Sequence, residues 1–126
     1  MSLTKEFQNL INIRLKVIRE FVDSDDSLDL LSNESDIKEI EDEYTKVTQL
    51  YMNTQNHMKD LFYIQFNIVQ AKTSIDRSTP SGQQQLKVVS TYLSSTDLLV
   101  KALESINNKY FAAQRYYERI LRGQLW

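Results

Sequence analysis

The sequence predicts an all-α protein: an elongated antiparallel hairpin of two coiled-coil-like helices of about 42 residues, roughly 60 Å long at 1.5 Å per residue, with a shorter N-terminal helix making a three-helix bundle at one end. Three observations predict it. Turn-forming residues are scarce, with only Gly82, Gly123 and Pro80 in 126 residues, whereas a sheet protein of this size needs many turns. Apolar residues recur every seven positions along two long stretches, the signature of helices that pack along a seam. Only one strong break, Ser78-Thr-Pro-Ser-Gly82, separates those stretches. A break of about five residues makes the two helices antiparallel neighbours.

The first helix is expected over 3–22, where Leu3, Phe7, Leu10, Ile11, Leu15, Ile18 and Val22 form one broad apolar face, with Ile13 and Val17 off its centre. Asp23-Ser-Asp-Asp-Ser27 ends it, because acids oppose the dipole at a helix C-terminus and Ser and Asp favour caps and turns. Residues 23–34 form an acidic linker tacked down by Leu28, Leu30 and Leu31. Ser35 or Asp36 caps the next helix, and Asp36 with Glu39 resembles a capping box.

The second helix is expected over 36–77. Its seven-residue row is Ile40, Val47, Thr54, Leu61, Ile68 and Ile75, flanked by Leu50, His57, Ile64 and Ala71 on one side and Tyr44, Tyr51 and Met58 on the other. After a loop at 78–82 the third helix occupies 83–122, its start capped by Thr79 before Pro80 or by Ser81 with Gln84. Its row is Val89, Thr96, Leu103, Tyr110 and Tyr117, and Gly123 is expected to terminate it. Folding about Pro80 pairs residues whose numbers add to about 161, so Thr54 should face Asn107 and Gln65 should face Thr96. The whole of 1–126 reads as one helical domain.

Composition narrows the function classes. There is no cysteine, hence no disulfide, thiolate metal site or cysteine nucleophile. That fits a reducing compartment, so an intracellular, cytoplasmic setting is expected. No run reaches the ~18 apolar residues of a membrane span, so no membrane insertion is expected. His57 is the only histidine and lacks a second imidazole for zinc. No glycine-rich phosphate loop or Gly-x-Ser-x-Gly elbow is present. Asp23, Asp25, Ser27 and Glu34 match four positions of a calcium loop, but Leu28 stands where the sharp turn needs glycine. No cofactor, metal or catalytic residue is expected, and a solvated linker is the plainer reading of these acids.

The net charge of −2 hides an asymmetry: residues 21–45 carry ten acids and one base, and residues 46–126 carry ten bases and five acids. Lys101, Asn108, Phe111, Arg115, Arg119 and Arg122 share a helical face, with Trp126 close by in sequence. Arginines among aromatics suit phosphate backbones and stacked bases. They also suit pairing to acids, and the expected register sets Arg115 and Arg119 against Asp42 and Glu43. A pI near 5.4 argues against nucleic acid.

The length mismatch carries the main functional expectation. A short linker should lay the first helix beside the start of the second, covering 36–57 and 105–122 and leaving the loop end with two helices. That end is apolar on every side, so Phe62, Tyr63, Phe66, Val69, Val88, Tyr92, Leu98 and Leu99 become the expected contact surface for another protein or a second copy. The sequence therefore points to a non-catalytic adaptor or assembly subunit, with a nucleic-acid accessory protein using Lys101, Phe111, Arg115, Arg119, Arg122 and Trp126 as the alternative. Bundles of this architecture serve as N-terminal domains of vesicle-fusion proteins, as tethering or chromosome-segregation subunits and as viral accessory proteins, but architecture does not fix function.

Overall fold

A computed structural model describes residues 3–125, which form three helices in the order α1 (Lys5–Asp23), α2 (Ile37–Thr73) and α3 (Pro80–Leu125). The seven-residue rows become the seam. Ile40, Val47, Thr54, Leu61 and Ile68 of α2, and Val89, Thr96, Leu103, Tyr110 and Tyr117 of α3, are all buried. A strict seven-residue repeat under-winds both helices so that one stripe faces the partner throughout.

Hydrogen bonds across the seam fix one register from end to end. Tyr44 bonds Glu118, Thr48 bonds Gln114, Gln55 bonds Asn107 and Gln65 bonds Asp97, and in every pair the residue numbers add to 162. Gln65 Nε2 also donates to Thr96 Oγ1 at 3.0 Å, as the sequence predicts. Asn107 takes its bond from Gln55 at 2.5 Å, not from Thr54. Buried Thr54 and Thr96 satisfy their hydroxyls locally, on the carbonyls of Leu50 and Leu93. The polar seam residues thus leave no orphaned donor.

Helix ends follow local chemistry. Thr4 caps α1 by accepting from the Phe7 N–H at 3.1 Å. Asp36 is the N-cap residue of α2, but its side chain makes no capping bond, so the expected capping box is not formed. The second helix ends at Thr73 instead of 77. Asp76 accounts for the early stop: its Oδ1 accepts from both the N–H and the hydroxyl of Ser78, offering the backbone a turn in place of the helix. Thr79 caps α3, accepting from the Gly82 N–H at 2.9 Å, with Pro80 at the first helical position. At its other end α3 runs through Gly123 to Leu125, past the expected stop at 122. Gly123 is helical because it adopts no positive φ.

The placement of α1 differs from the sequence expectation. Arg14 pairs with Asp60 at 3.3 Å, and Phe21 lies 4.4 Å from the His57 ring. As α1 advances its α2 neighbours fall in number, so the two helices are antiparallel. However, α1 covers the loop half: Ile11, Leu15 and Ile18 share a core with Leu61, Ile64, Ile68, Val89, Leu99 and Leu103. The linker makes this possible. An extended chain covers up to ~3.3–3.6 Å per residue, so the segment between Asp23 and Ile37 can travel half the hairpin. It runs as a strap over the open half, where Leu28 and Leu31 pack on Ile40, Val47, Tyr110 and Tyr117.

Gly82 is the one glycine that the fold cannot replace. It is buried in the first turn of α3, and a Cβ there would collide with the Asp76 carbonyl. Gly123 has open space around it. Gly82→Ala should destabilise the protein by about 1–3 kcal/mol through forced backbone movement. Gly123→Ala should stabilise its helix by up to about 1 kcal/mol. Denaturant unfolding of the two variants checks both signs.

Candidate interaction surfaces

Helical phase decides which side chains face outward. On α1 the buried set is Ile11, Leu15 and Ile18. Leu10, Ile13 and Val17, spaced by three and four, form a second apolar stripe that is exposed. On α2 the outward stripe is Phe62, Phe66 and Val69, with Tyr63 beside it, and Phe66 keeps 60% of its surface in solvent. Between the helices lies an open cleft of about 160 Å³ lined by Phe7, Leu10, Ile11, Arg14, Tyr63, Ile64 and Asn67. Arg14 sits 5.9 Å from the Tyr63 ring and binds Asp60, which fixes the cleft's polar rim. Asn67 donates to the Tyr63 carbonyl at 3.0 Å.

The expected contact surface therefore divides. Phe62, Tyr63, Phe66, Val69 and Leu98 are exposed. Leu99 is buried, and Val88 and Tyr92 are partly buried against the same core as α1. These three face α1, because that helix fills the loop-half groove the sequence reading left open. Leu10, Ile13 and Val17 take their place in the exposed set. The sequence places Leu10 on the main apolar face of α1 and only Ile13 and Val17 off its centre, and the exposure of Leu10 beside them depends on where α1 docks.

The basic-aromatic row is exposed along α3. Phe111 packs 5.8 Å from Tyr51 and lies under the Arg115 guanidinium at 5.6 Å. Arg115 pairs with Glu118 at 3.6 Å, not with Asp42 or Glu43 as expected. Those acids pair along their own helix, with Lys38 and Lys46. Neighbours three or four apart on one helix meet without bending long side chains across the seam. Arg119 lines an open cleft of about 450 Å³ with Asn33, Tyr116, Ile120 and Gly123. Lys101 and Arg122 are solvent-facing, and Trp126 lies outside the described residues.

The strap carries polar contacts that the sequence reading did not foresee. Tyr117 Oη accepts from the Leu31 N–H at 2.9 Å, and Tyr116 Oη donates to the Leu31 carbonyl at 2.7 Å. Asp25 receives Tyr110 Oη on one oxygen, at 2.6 Å, and Lys109 Nζ on the other. Lys109 also donates to the Asp26 carbonyl. The legible signal was tyrosine at two seam positions, since a buried phenol needs a partner for its hydroxyl. Which segment supplies that partner is a tertiary fact. With Asp25 so engaged, the calcium-loop residues do not converge, and among the described residues no three His, Cys, Asp or Glu side chains gather around a common point.

Burial shifts three titrations. Desolvation raises Tyr110 well above the usual phenol range, helped by the Asp25 hydrogen bond and charge. Desolvation likewise raises Tyr117. Burial against Phe21 lowers His57, partly opposed by Asp60. Comparison with known protein families, characterised proteins and solved structures finds no match to this chain.

Two pH dependences result. A folded phenol pKa above its unfolded value stabilises fully below about pH 10 and loses that contribution as pH rises further. Thermal stability should therefore fall above about pH 10, and Tyr110→Phe should lose less over the same interval than the wild type. A folded histidine pKa below its unfolded value acts oppositely, with full stability above about pH 6.5 and loss as pH falls. His57→Phe should flatten the curve between neutral pH and the acid side, as melts across a pH series would register.

Proposed function

We propose that this chain is a non-catalytic interaction module, an adaptor or assembly subunit that holds a partner protein by laying a partner helix along the outer face of α1 and α2. One observation carries the reading: two exposed apolar stripes, Leu10-Ile13-Val17 and Phe62-Phe66-Val69, lie on the two helices that border the Tyr63 cleft. A helix apolar on more than its core-facing stripe is normally buried on that second side too. Contiguous exposed apolar surface marks interaction sites. A groove between two helices suits an amphipathic third, read through anchors at helical spacing. The cleft accommodates one large apolar anchor, the arrangement from which binding hot spots are made.

The alternative, nucleic-acid binding by the α3 row, has weaker support. Arg115 is already engaged by Glu118, and Glu104 stands among the bases of that region. No helix among the described residues is long and apolar enough to cross a membrane.

Ile13→Asp and Phe66→Asp should each abolish partner binding while changing stability by no more than about 0.5 kcal/mol, the usual range for surface positions. Photo-crosslinkers placed at Ile13 and Phe66 should trap the same partner. Binding should depend weakly on salt. Retained binding by both variants would exclude this face. Binding to DNA or RNA that weakens steeply with salt, and is lost in Arg119→Glu with Arg122→Glu, would move the function to α3.

A further inference from the structure

The strap is held as a bound peptide is held. It has neither helix nor strand between Asp25 and Leu31, yet it presents an acid, two apolar anchors and a captured backbone to a fixed receptor surface. The acid is Asp25, gripped by Lys109 and Tyr110. The anchors are Leu28 and Leu31, three residues apart, in the cluster that includes Tyr44, Tyr117 and Leu121. The backbone group is Leu31, whose amide and carbonyl are both taken by the adjacent hydroxyls of Tyr117 and Tyr116. Side chains that recognise a segment through its backbone and through spaced anchors read chemistry, not one particular covalent connection.

The groove continues beyond the strap. At Asn33 the chain must turn back to begin α2 at Ile37, with the Ser35 N–H bonded to the Ser32 carbonyl. The open cleft of about 450 Å³ adjoins that point, with Tyr116 and Ile120 as apolar lining and Arg119 at its side. The strap borders this cleft only through Asn33. A separate peptide has no such turn to make. It could follow the same path and continue, placing a further apolar residue against Tyr116 and Ile120 and a carboxylate beside Arg119.

We propose that the open half of the α2–α3 hairpin is a binding groove for an acidic, leucine-bearing peptide segment of a partner protein, with residues 25–31 acting as its built-in competitor. The site is distinct from the α1–α2 face, and the proposal does not rest on that reading. The ligand pattern is an acid, a leucine three residues on, a second leucine three further, then an apolar residue with acids. Because the strap is covalently attached, it occupies the groove most of the time and lowers the apparent affinity of any free peptide in proportion to the fraction open. Lys109 and Arg119 on the α3 wall set the acidic preference at the two ends of the path, whereas Glu39, Asp42 and Glu43 line the α2 side beside Leu31, where the ligand presents an apolar anchor and no acid.

The test uses the full chain and two fluorescent synthetic peptides, one of residues 23–31 and one extended beyond Leu31 by Ala-Glu-Leu-Glu. Leu28→Ser with Leu31→Ser weakens the strap, and Asp25→Lys alone serves as a second, milder way of doing so. Both weakened chains should bind the peptides saturably, and the wild type should bind them roughly 100-fold more weakly. The extended peptide should bind the tighter of the two, and Arg119→Glu should erase that advantage. Lys109→Glu in a weakened chain should cost roughly tenfold. No saturable binding to either weakened chain, with helical content retained, overturns the proposal. So does affinity indifferent to Lys109, or a wild-type dimer by light scattering that dissociates in the leucine variant, since the groove's occupant would then be the strap of a second copy.

Discussion

A single seam governs the molecule. Two helices of unequal length are held in one register by residues that return to the same stripe every seven positions, and cross-seam polar pairs from Tyr44–Glu118 to Gln65–Asp97 keep that register unbroken. The apolar rows supply most of the driving force, at about 1.5–3 kcal/mol for each large side chain fully buried. The polar pairs contribute less energy and more specificity. A slip by one residue would misplace every one of them at once, whereas the apolar rows alone would tolerate neighbouring alignments more readily.

Two helices leave the apolar flanks of their seam open on either side, and the chain covers the hairpin in two different ways. The loop half receives a regular helix, α1, which buries Ile11, Leu15 and Ile18 against both long helices. The open half receives an irregular strap. A helix satisfies its own backbone, so α1 needs only apolar contact to dock. The strap has no internal ladder, so its backbone must find partners elsewhere, and tyrosine hydroxyls supply them at Leu31. That difference makes the open half the more dependent on side-chain chemistry. Segments held by few buried apolar contacts and by partly exposed hydrogen bonds are the first to open, which is the physical basis for proposing the strap, and not α1, as the displaceable part of the cover.

The same division separates the two candidate surfaces. On the loop half, α1 and α2 each carry an exposed apolar stripe, and the Tyr63 cleft lies between the two helices. On the open half, the hairpin's own side chains are already engaged by a ligand that belongs to the chain. The arginines of α3 border the second surface, and Arg119 joins it through the cleft at Asn33 and Tyr116.

Much of this was legible in the sequence, and the boundary has a physical cause. The residues of both seam rows, the antiparallel pairing, the register to within one residue, the cap at Thr79 and the end of α1 follow from periodicity and local chemistry, which are properties of neighbours along the chain. The exposure of Phe62, Tyr63, Phe66 and Val69 also follows from the pattern, because apolar residues all round one helix cannot all reach its seam, whereas the turn at Asp76 was present in the sequence as a residue type without a position. Where α1 docks was decided only in three dimensions, because a flexible linker constrains distance by an upper limit and leaves the choice of groove to packing. That choice buried Leu99 and partly buried Val88 and Tyr92, made a surface of Leu10, Ile13 and Val17, and gave Tyr110, Tyr116 and Tyr117 a strap to hold. Local pattern specified the rods, their seam and the outward stripe of α2; competition among distant surfaces for the same apolar cover specified which groove α1 fills and which of its own side chains it leaves outside.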